Sequence, residues 1–389
     1  MGGKYKHMET RLIHAGEPDP PIHGAVSMPV FQSSTFRYTG KGGYHDLRYI
    51  RLNNTPNHEA VHSKLASLEN GEAALVTASG MAAISTTLLT VLRAGDHLLA
   101  QDCLYGGTHD LLTTELPDLG ITFDFVDGAD PAGWQKALRP ETRAIYMETI
   151  TNPLLQVADL EAAAEFAAKH DLIAVIDNTF ATPVNFRPLE HGFDLSIHSC
   201  TKYLNGHSDI VAGAVIGRAD LVRDITHKLN HLGGSLDPHA CSLLHRGLKT
   251  LAVRVKQQNQ SASLIAAHLQ SHPKVRTVHY PGLESSPGYQ RAAQLLDGFG
   301  GMLSFELDGT VEQADAFISA LAIPISAPSL GGVESLITRP ATTSHSGLSP
   351  EELAAMGIPE SLIRLSVGLE HPEDLIDDLE QGFLAMDRV

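Results

Sequence analysis

Two residues of opposite charge follow two short apolar runs near the middle of the chain. Asp177 directly follows the run at 172–176, and Lys202 lies shortly after a second run at 195–197. Both runs are too short for helices, and the first is rich in β-branched residues, so we predict buried parallel strands. Open α/β sheets carry their ligands at the carboxyl ends of such strands. An acid and a lysine at one edge predict a Schiff-base site, in which the amine forms an imine and the carboxylate holds a protonated pyridine nitrogen.

The segment from Ser199 to Lys202 has a second interpretation. It also matches S-x-x-K, which is typical of serine acyl transferases of the penicillin-binding type. That chemistry also requires S-D-N and K-T-G, whereas the chain has S-D-I at 208–210 and K-T-L at 249–251. Both tripeptides fail the pattern. A solvated loop lysine and a turn aspartate remain an alternative for these two residues by themselves.

Two earlier segments add candidates for cofactor binding. A predicted strand at 73–78 is followed by Ser79, Gly80 and Met81, which open a helix that extends to about residue 92. A small-residue turn before a helix lets backbone amides approach a phosphate, and the helix N-terminus favours negative charge. Tyr105 follows another predicted strand, at 97–100, and precedes two glycines. Its ring could stack on a flat cofactor.

Strands and helices alternate from about residue 60 to residue 220, with a strand predicted at 144–147 and a helix at 160–170. This alternation predicts a mostly parallel, doubly wound sheet. A G-x-G-x-x-G fingerprint is absent, so nothing indicates dinucleotide binding. Polar residues recur at the predicted strand ends, and their convergence is more informative than any single residue: Ser79, Tyr105, Asn152, Asp177 and Lys202.

The regions on either side of the sheet differ in character. Residues 1–57 are rich in proline and glycine, and we expect an irregular arm that contributes to a neighbouring subunit. In this arm Tyr49 and Arg51 point the same way on an extended chain, where they could hold a phosphate; a surface pair is the alternative. Residues 58–250 form the predicted cofactor-binding domain, and residues 251–389 the predicted smaller α+β domain.

The predicted smaller domain has its own pattern of elements. It should contain a strand at 302–307 and amphipathic helices at 312–321 and 372–386, after a long helix at about 248–270. Arg364 could bind a substrate carboxylate with its forked guanidinium, or it could form a surface salt bridge. Ser329 begins a glycine-containing loop that we single out as a second candidate site element.

The segment from His58 to His62 matches H-E-x-x-H, the signature of zinc peptidases. Histidines at i and i+4 share one helix face. The motif, however, begins two residues after Pro56, in a first helical turn, and the chain contains 21 histidines, which favours chance matches. A zinc hydrolase is therefore an alternative of a different class, and no metal site is predicted.

Composition excludes several classes of partner. The 389 residues include 28 Lys and Arg against 45 Asp and Glu, a net charge of −17, which argues against nucleic acids and anionic membranes. No apolar stretch approaches the roughly 18 residues of a membrane span, and the N-terminus has no apolar signal region. The three cysteines at 103, 200 and 241 are interpreted as free thiols in a reducing cytoplasm.

These motifs, in this order along nearly the whole chain, resemble the pyridoxal-phosphate enzymes of cysteine and methionine metabolism, the trans-sulfuration enzymes, and are closest in kind to the cystathionine β- and γ-lyases. The resemblance implies fold type I, the aspartate-aminotransferase type, and a homotetramer built as a dimer of dimers. It also implies a set of cofactor-binding residues: Tyr49, Arg51, Gly80, Met81, Tyr105, Asp177, Thr179, Ser199, Thr201 and Lys202.

The resemblance also implies individual roles. Lys202 carries pyridoxal 5'-phosphate, Asp177 pairs with the pyridine nitrogen, and Tyr105 stacks on the ring, with Lys202 and Tyr105 as catalytic residues. Tyr49 and Arg51 reach the phosphate of a neighbouring subunit. The substrate carboxylate is positioned by three further residues: Asn152, Ser329 and Arg364.

Three positions depart from the family pattern. The segment 54–56 reads Asn-Thr-Pro where Asn-Pro-Thr is usual, which should alter a turn and leave the phosphate contacts in place. Pro328 precedes Ser329 where synthases and many γ-lyases have an acidic residue. Gly107 stands where methionine γ-lyases typically have cysteine. We therefore predict a carbon–sulfur lyase acting on cystathionine or a related sulfur amino acid by α,β- or α,γ-elimination, with a γ-replacement enzyme as the alternative.

Overall fold

The computed structural model of the chain describes residues 5–38, 40, 43, 47–344, 346 and 349–389, without the side chains of residues 350, 352 and 355. Residues 1–4, 39, 41, 42 and 44–46 of the predicted arm thus lie outside the described residues. The chain forms two compact units. The first consists of Met1–Asp102, Gly107–Met147 and Asp159–Ala252, and the second of Cys103–Gly106, Glu148–Ala158 and Val253–Val389. The predicted three-part division at residues 57 and 250 stays a prediction.

The larger sheet has seven strands in the order β1-β7-β6-β5-β4-β2-β3. Strand β2 pairs in parallel with β3 and β4, and β5 pairs in parallel with β6, whereas β7 is antiparallel to β1 and β6. The predicted mostly parallel sheet is confirmed. Its strands are β1 (Ala73–Thr77), β2 (His97–Gln101), β3 (Thr122–Val126), β4 (Thr142–Glu148), β5 (Ile173–Asp177), β6 (Leu195–Ser199) and β7 (Gly213–Gly217).

The α-helices described by the structure are α1 (Met8–His14), α2 (Pro56–Glu69), α3 (Gly80–Val91), α4 (Gly106–Asp110), α5 (Leu116–Asp118), α6 (Pro131–Ala137), α7 (Leu160–His170), α8 (Thr182–Asn185), α9 (Ala219–Leu232), α10 (Pro238–Leu248), α11 (Leu251–Ser271), α12 (Tyr289–Leu295), α13 (Val311–Ala320), α14 (Pro350–Ala355) and α15 (Pro372–Met386). None of the helices in these described ranges is long and apolar enough to cross a membrane.

Local sequence fixes the ends of the helices next to the strand termini. The Ser79 side chain accepts a hydrogen bond from the Ala82 amide at 3.0 Å and caps α3. The Asp159 carboxylate accepts from the Ala162 amide at 3.2 Å and caps α7. Such caps satisfy amides that have no partner within the helix. Each strand-to-helix turn is thereby held at a defined residue.

Part of the predicted irregular arm is ordered against its own chain. Helix α1 packs on α2, where the fully buried Lys64 ammonium donates to the Leu12 carbonyl at 2.7 Å and lies 3.5 Å from the Glu17 carboxylate. Burial lowers the pKa of Lys64 to about 8, and Glu17 opposes the shift. Gly16 has φ +73°, and a Cβ there would lie 2.1 Å from the Ala60 carbonyl oxygen. The arm, predicted to be irregular, therefore contains a short helix, α1, that is packed against α2 of the same chain.

The second unit contains a five-stranded sheet in the order β10-β11-β12-β9-β8. Its core includes Phe305, Phe317 and Phe383. The predicted strand at 302–307 and helix at 372–386 match the observed β9 and α15 residue for residue. The strands are β8 (Val275–His279), β9 (Met302–Leu307), β10 (Ile325–Ser326), β11 (Leu336–Thr338) and β12 (Leu362–Ser366).

Candidate active site

The ends of β5 and β6 bring three predicted cofactor residues of the first unit together. The Asp177 carboxylate accepts a hydrogen bond from the Thr179 amide at 2.9 Å, and the Thr179 hydroxyl accepts from the Ser199 amide at 2.8 Å. In the parallel register Asp177 lies opposite Ile197, and the next amide, of Asn178, donates to the Ile197 carbonyl at 2.8 Å. Thr179 therefore links the acid at the end of one strand to the serine at the end of the next.

Lys202 lies one turn beyond Ser199. Its amide donates to the Ser199 carbonyl at 3.1 Å, and its carbonyl accepts from the Gly206 amide at 2.8 Å. The intervening Thr201 is fixed to Ala212, to which both its amide and its hydroxyl donate at 3.2 Å. The half-buried lysine is thus carried on a tight turn that begins at the strand carrying Ser199.

The start of α3 lies directly against this turn. A Cβ added at Gly80 would lie 3.0 Å from the Ser199 Cβ and 3.1 Å from its hydroxyl oxygen. Glycine is needed because two backbones approach each other here, and Met81 follows in the first helical turn. The amino end of this twelve-residue helix favours an anion. The serine, the glycine and the helix end form a cradle suited to a phosphate.

The electrostatics of Asp177 favour a cationic partner. Burial raises the pKa of its carboxyl group, and the hydrogen bonds from Thr179 and the charge of His198 oppose that shift. A protonated pyridine nitrogen beside this carboxylate would favour the ionised form. Together with the phosphate cradle and Lys202, the donor set of the first unit fits pyridoxal phosphate.

Tyr49 and Arg51 lie together in the first unit. The guanidinium carbon of Arg51 is 5.6 Å from the centroid of the Tyr49 ring, and one guanidinium nitrogen donates to the Asn230 carbonyl at 3.0 Å. Tyr49 is 40% exposed, so this pair of side chains is accessible from the side of the tyrosine. The predicted pairing of the two residues is seen in the chain, while their predicted contact with a neighbour's phosphate stays a prediction.

The three predicted substrate-binding residues meet in the second unit. Arg364, on β12 and 4% exposed, donates to the Asn152 side-chain oxygen at 3.0 Å and to the Ser329 carbonyl at 3.2 Å. A surface salt bridge, the alternative for Arg364, does not fit this burial. Two bonds to neutral oxygens fix the plane of the guanidinium. That arrangement suits a carboxylate, which guanidinium groups bind in a bidentate manner.

The loop after Ser329 is held by Ser366 on β12 and by Glu370, which the sequence did not single out. The Glu370 carboxylate accepts from the Ser335 amide at 2.7 Å and from its hydroxyl at 2.8 Å. The Gly331 amide donates to the Ser366 hydroxyl at 2.8 Å. These bonds fix both ends of the loop against β12 and the segment that follows it.

Tyr105 also belongs to the second unit. Its amide donates to the Glu148 carboxylate at 2.6 Å, and the residue is 43% exposed. The exposed ring is available for stacking. Glu148, which holds the backbone of Tyr105, was not predicted, although it is the first residue of the polar segment after the predicted strand at 144–147.

The H-E-x-x-H motif does not form a metal site. The two ring nitrogens of His58 bond to the Thr55 hydroxyl and the Leu236 carbonyl, both at 2.8 Å, and the His62 Nε2 accepts from the Val76 amide at 3.0 Å. Burial lowers the pKa of His58 to about 4 and that of His62 to about 3. Within the described ranges of the chain, no group of three or more His, Cys, Asp or Glu residues is placed to hold a metal.

A further polar cluster lies next to the cofactor residues. Glu69, at the end of α2, bonds to His198 on β6, and both side chains are 1% exposed. Sequence reasoning missed this pair. Its only signal was the alternation of two polar residues, Ser196 and His198, within a predicted buried strand.

Comparison with known proteins supports the same interpretation. A family model described as Cys/Met metabolism PLP-dependent enzyme matches residues 9–384. The chain is 42% identical over 375 residues to a cystathionine gamma-lyase of Bacillus subtilis, covering 96% of this chain and 98% of the relative. It is 43% identical over 391 residues to an L-methionine gamma-lyase of Pseudomonas putida, covering 97% of each.

A solved structure is similar across the whole chain. The crystal structure of cystathionine gamma-lyase from Lactobacillus plantarum complexed with L-serine matches with a TM-score of 0.94 and 41% identity, covering 98% of this chain and 100% of that one. The fold and the donor set define a pyridoxal-phosphate-dependent enzyme of fold type I. The chain belongs to the family of Cys/Met metabolism PLP-dependent enzymes and is of its carbon–sulfur lyase type. The predictions of family, fold, enzyme class and cofactor are confirmed.

Proposed function

We propose that the protein cleaves a carbon–sulfur bond in cystathionine or a closely related sulfur amino acid by α,β- or α,γ-elimination. The observation that carries the substrate class is the buried Arg364, held by Asn152 and the Ser329 carbonyl. It supports recognition of an α-carboxylate. The cradle of Gly80 and Ser199, with Lys202 and Asp177, supports binding of the cofactor.

Each residue of the site has a proposed role in the reaction. Bound at Lys202, pyridoxal phosphate supplies an electron sink next to the substrate Cα. Asp177 keeps a proton on the pyridine nitrogen, and Tyr105 is the residue that we assign to cover the ring. Once the amino group of the substrate has displaced it, the freed Lys202 amine would remove the proton from Cα, after which a β-thiol could leave. Loss of a γ-substituent also requires removal of a proton from Cβ, so the same residues serve both reactions.

Two positions favour a lyase acting on cystathionine over other members of the family. Pro328 has no carboxylate for the distal ammonium of a substrate, whereas an acidic residue is expected there in a γ-synthase and in many γ-lyases. This position therefore argues against a γ-synthase and does not decide between β- and γ-cleavage. Gly107 has no thiol, which argues against a preference for methionine. Overall identity is similar to a cystathionine lyase and to a methionine lyase, so these positions carry the distinction.

The test is incubation with cystathionine and identification of the keto acid. Pyruvate indicates β-cleavage, and 2-oxobutyrate indicates γ-cleavage. Formation of a thioether from an O-acyl-homoserine and a thiol, with no keto acid from cystathionine, would overturn the lyase proposal and favour γ-replacement.

The cofactor attachment is tested separately. The purified protein should be yellow, and borohydride should remove the colour by trapping the cofactor covalently on Lys202. Mapping of the peptides then locates the adduct. An adduct on a different lysine, or none, would reject the assignment of Lys202.

We further propose that Tyr49 and Arg51 complete the site of a neighbouring subunit in a homotetramer. The 40% exposure of Tyr49 supports this, as does the exposure of Val26, at 94%, and of Val30, at 46%, on the same segment.

Subunit mixing tests the shared site. Inactive Lys202→Ala and Arg51→Ala proteins, refolded together, should regain partial activity because one site of each mixed pair is then intact. Lys202→Ala mixed with Asp177→Asn is the matched control, since both defects affect residues of one subunit and every site remains damaged. Absence of recovery in the first mixture, with subunit exchange demonstrated by mass, would contradict a shared site.

We also infer a cytoplasmic location. Cys103, Cys200 and Cys241 are all buried free thiols, which supports a reducing compartment. Fractionation of cells that express the tagged chain tests this inference. Recovery of the chain in a secreted or membrane fraction would contradict it.

A further inference from the structure

One buried carboxylate collects hydrogen bonds from two neighbouring strand ends. Oxygen Oε1 of Glu69 accepts from the Asn178 side-chain amide at 3.3 Å, from the Ser196 hydroxyl at 3.1 Å, and from His198 Nε2. None of the four residues is more than 1% exposed. We call this group the Glu69 cluster.

The cluster lies on the opposite side of the pleat from the cofactor residues. Successive residues of a strand point to opposite faces. Asn178 is adjacent to Asp177, and His198 is adjacent to Ser199. The Glu69 cluster therefore contacts the same two strand ends on the face opposite to Asp177 and Ser199. Glu69 itself is the last residue of α2, which fixes its position independently of either strand.

Protonation of His198 would make the centre of the cluster a buried ion pair. A carboxylate removed from water needs compensating hydrogen bonds or a cation, and protonated His198 would supply the cation. Among the described atoms, Glu69 Oε2 and His198 Nδ1 are buried without a hydrogen-bond partner. The pair therefore depends strongly on its single mutual contact, and loss of either member leaves the other poorly compensated.

The charge of His198 also reaches across the sheet. It acts to lower the pKa of Asp177 and so opposes the rise that burial causes. A cationic His198 on one face of the sheet thus favours the ionised form of Asp177 on the other face. This electrostatic effect adds to the hydrogen bonds that hold Asn178 and Ser196 in place.

We infer that Glu69 and His198 are positioning residues for cofactor binding: they hold the ends of β5 and β6 in register and keep Asp177 charged toward the pyridine nitrogen. The inference rests on the proposed roles of Asp177 and Lys202. It assigns a function to two residues that touch neither cofactor nor substrate in that proposal.

The test uses Glu69→Gln, which retains the size and one acceptor oxygen but removes the charge that pairs with His198. Cofactor-free protein is titrated with pyridoxal phosphate and followed by visible absorbance. We expect about a tenfold rise in Kd, the size of change that loss of one hydrogen bond to a charged group produces. The pH midpoint of the visible band should shift and kcat should fall, with KM for the amino acid little changed.

The matched control is Glu59→Gln on the same helix. Glu59 pairs with Arg48 at the surface, at 2.8 Å, with both side chains at least 39% exposed. This variant should behave as the unsubstituted protein. The double variant Glu69→Gln/His198→Asn should be no worse than the more damaged single variant, because the two residues act as a pair.

Three results would overturn the inference. The first is a Kd and a visible band in Glu69→Gln equal to those of Glu59→Gln. The second is a loss of thermal stability without any change in Kd or in the band, which is a purely structural effect. The third is additive damage in the double variant. Should Glu69→Gln fail to fold, Ser196→Ala removes one donor to the same oxygen, and an unchanged Kd there would also overturn the inference. Failure of the proposed function is distinguishable, since the unsubstituted protein would then show no adduct on Lys202.

Discussion

Replacement of Gly80 by alanine tests the phosphate cradle most directly. The new Cβ would lie 3.0 Å from the Ser199 Cβ, 3.1 Å from its hydroxyl oxygen and 3.2 Å from its Cα, so Ser199 must move by a few tenths of an ångström. Alanine is otherwise the better helix former, by up to about 1 kcal/mol. The stability of the cofactor-free protein should therefore change little, while the geometry around the phosphate is disturbed.

The expected loss lies in cofactor affinity. A hydrogen bond to a charged group contributes about 1.5–3 kcal/mol. If Ser199 loses the bond that we propose it makes to the phosphate, Kd should rise roughly 10- to 150-fold. Absorbance titration of the cofactor-free protein measures Kd, and thermal unfolding of the same sample measures stability.

Two further variants serve as positive and negative controls for the Gly80→Ala result. Ser199→Ala removes the hydroxyl without adding an atom at position 80, and it should weaken cofactor binding by a similar factor. Gly288→Ala places its Cβ no closer than 3.7 Å to any neighbour and should have no effect. A Gly80→Ala protein that binds the cofactor within twofold of the unsubstituted protein would refute the reasoning.

Three further substitutions have expected outcomes. Arg364→Lys keeps the charge but loses the planar fork that bonds to Asn152, so kcat/KM should fall by about 10- to 100-fold, and steady-state kinetics will measure this. Asp177→Asn cannot hold a proton on the pyridine, so kcat should fall on the order of 100-fold or more while the yellow colour persists; an unchanged kcat would contradict this. The lowered pKa of His58, about 4, means that the unfolded chain binds a proton first as pH falls from 6.5 to 4. The free energy of unfolding should drop over that interval by about 3 kcal/mol because of this residue. Urea midpoints should therefore fall less with pH in His58→Gln than in the unsubstituted protein. In the exposed His371→Gln they should fall as much as in the unsubstituted protein.

Much of the fold could be predicted because its signals are local. The strand ending at Asp177 is a short buried run followed by a polar turn, and α7 begins at its capping residue Asp159 and ends near the left-handed Asp171. Such features depend on a few adjacent residues. The antiparallel strand β7, in contrast, has a glycine-rich sequence with no alternation, and its direction is set only by its pairing with β1 and β6.

The site could be predicted in part. The residues that follow predicted strands were found because parallel strands end at one edge. The pairing of Arg364 with Asn152 joins residues 212 positions apart and could not be found from spacing. Glu69 resembles an exposed residue at the end of a helix, yet it is buried by the strand that carries His198. Conversely, the H-E-x-x-H spacing left a zinc site open as an alternative, whereas the structure shows both histidines in hydrogen bonds to other groups of the chain.

The pairing of β1 with β7 has a consequence for synthesis of the protein. Strand β1 leads into Gly80, but its partner strand, Gly213–Gly217, follows about 140 residues later. At roughly 5–20 residues per second, the ribosome needs several seconds or more to supply that partner. During this time the apolar β1 lacks the strand with which it pairs in the described sheet, and for most of it the segment that ends in Lys202 does not yet exist. Cofactor capture must therefore follow synthesis of more than half of the chain, and a nascent chain stalled before residue 213 should bind chaperones rather than pyridoxal phosphate.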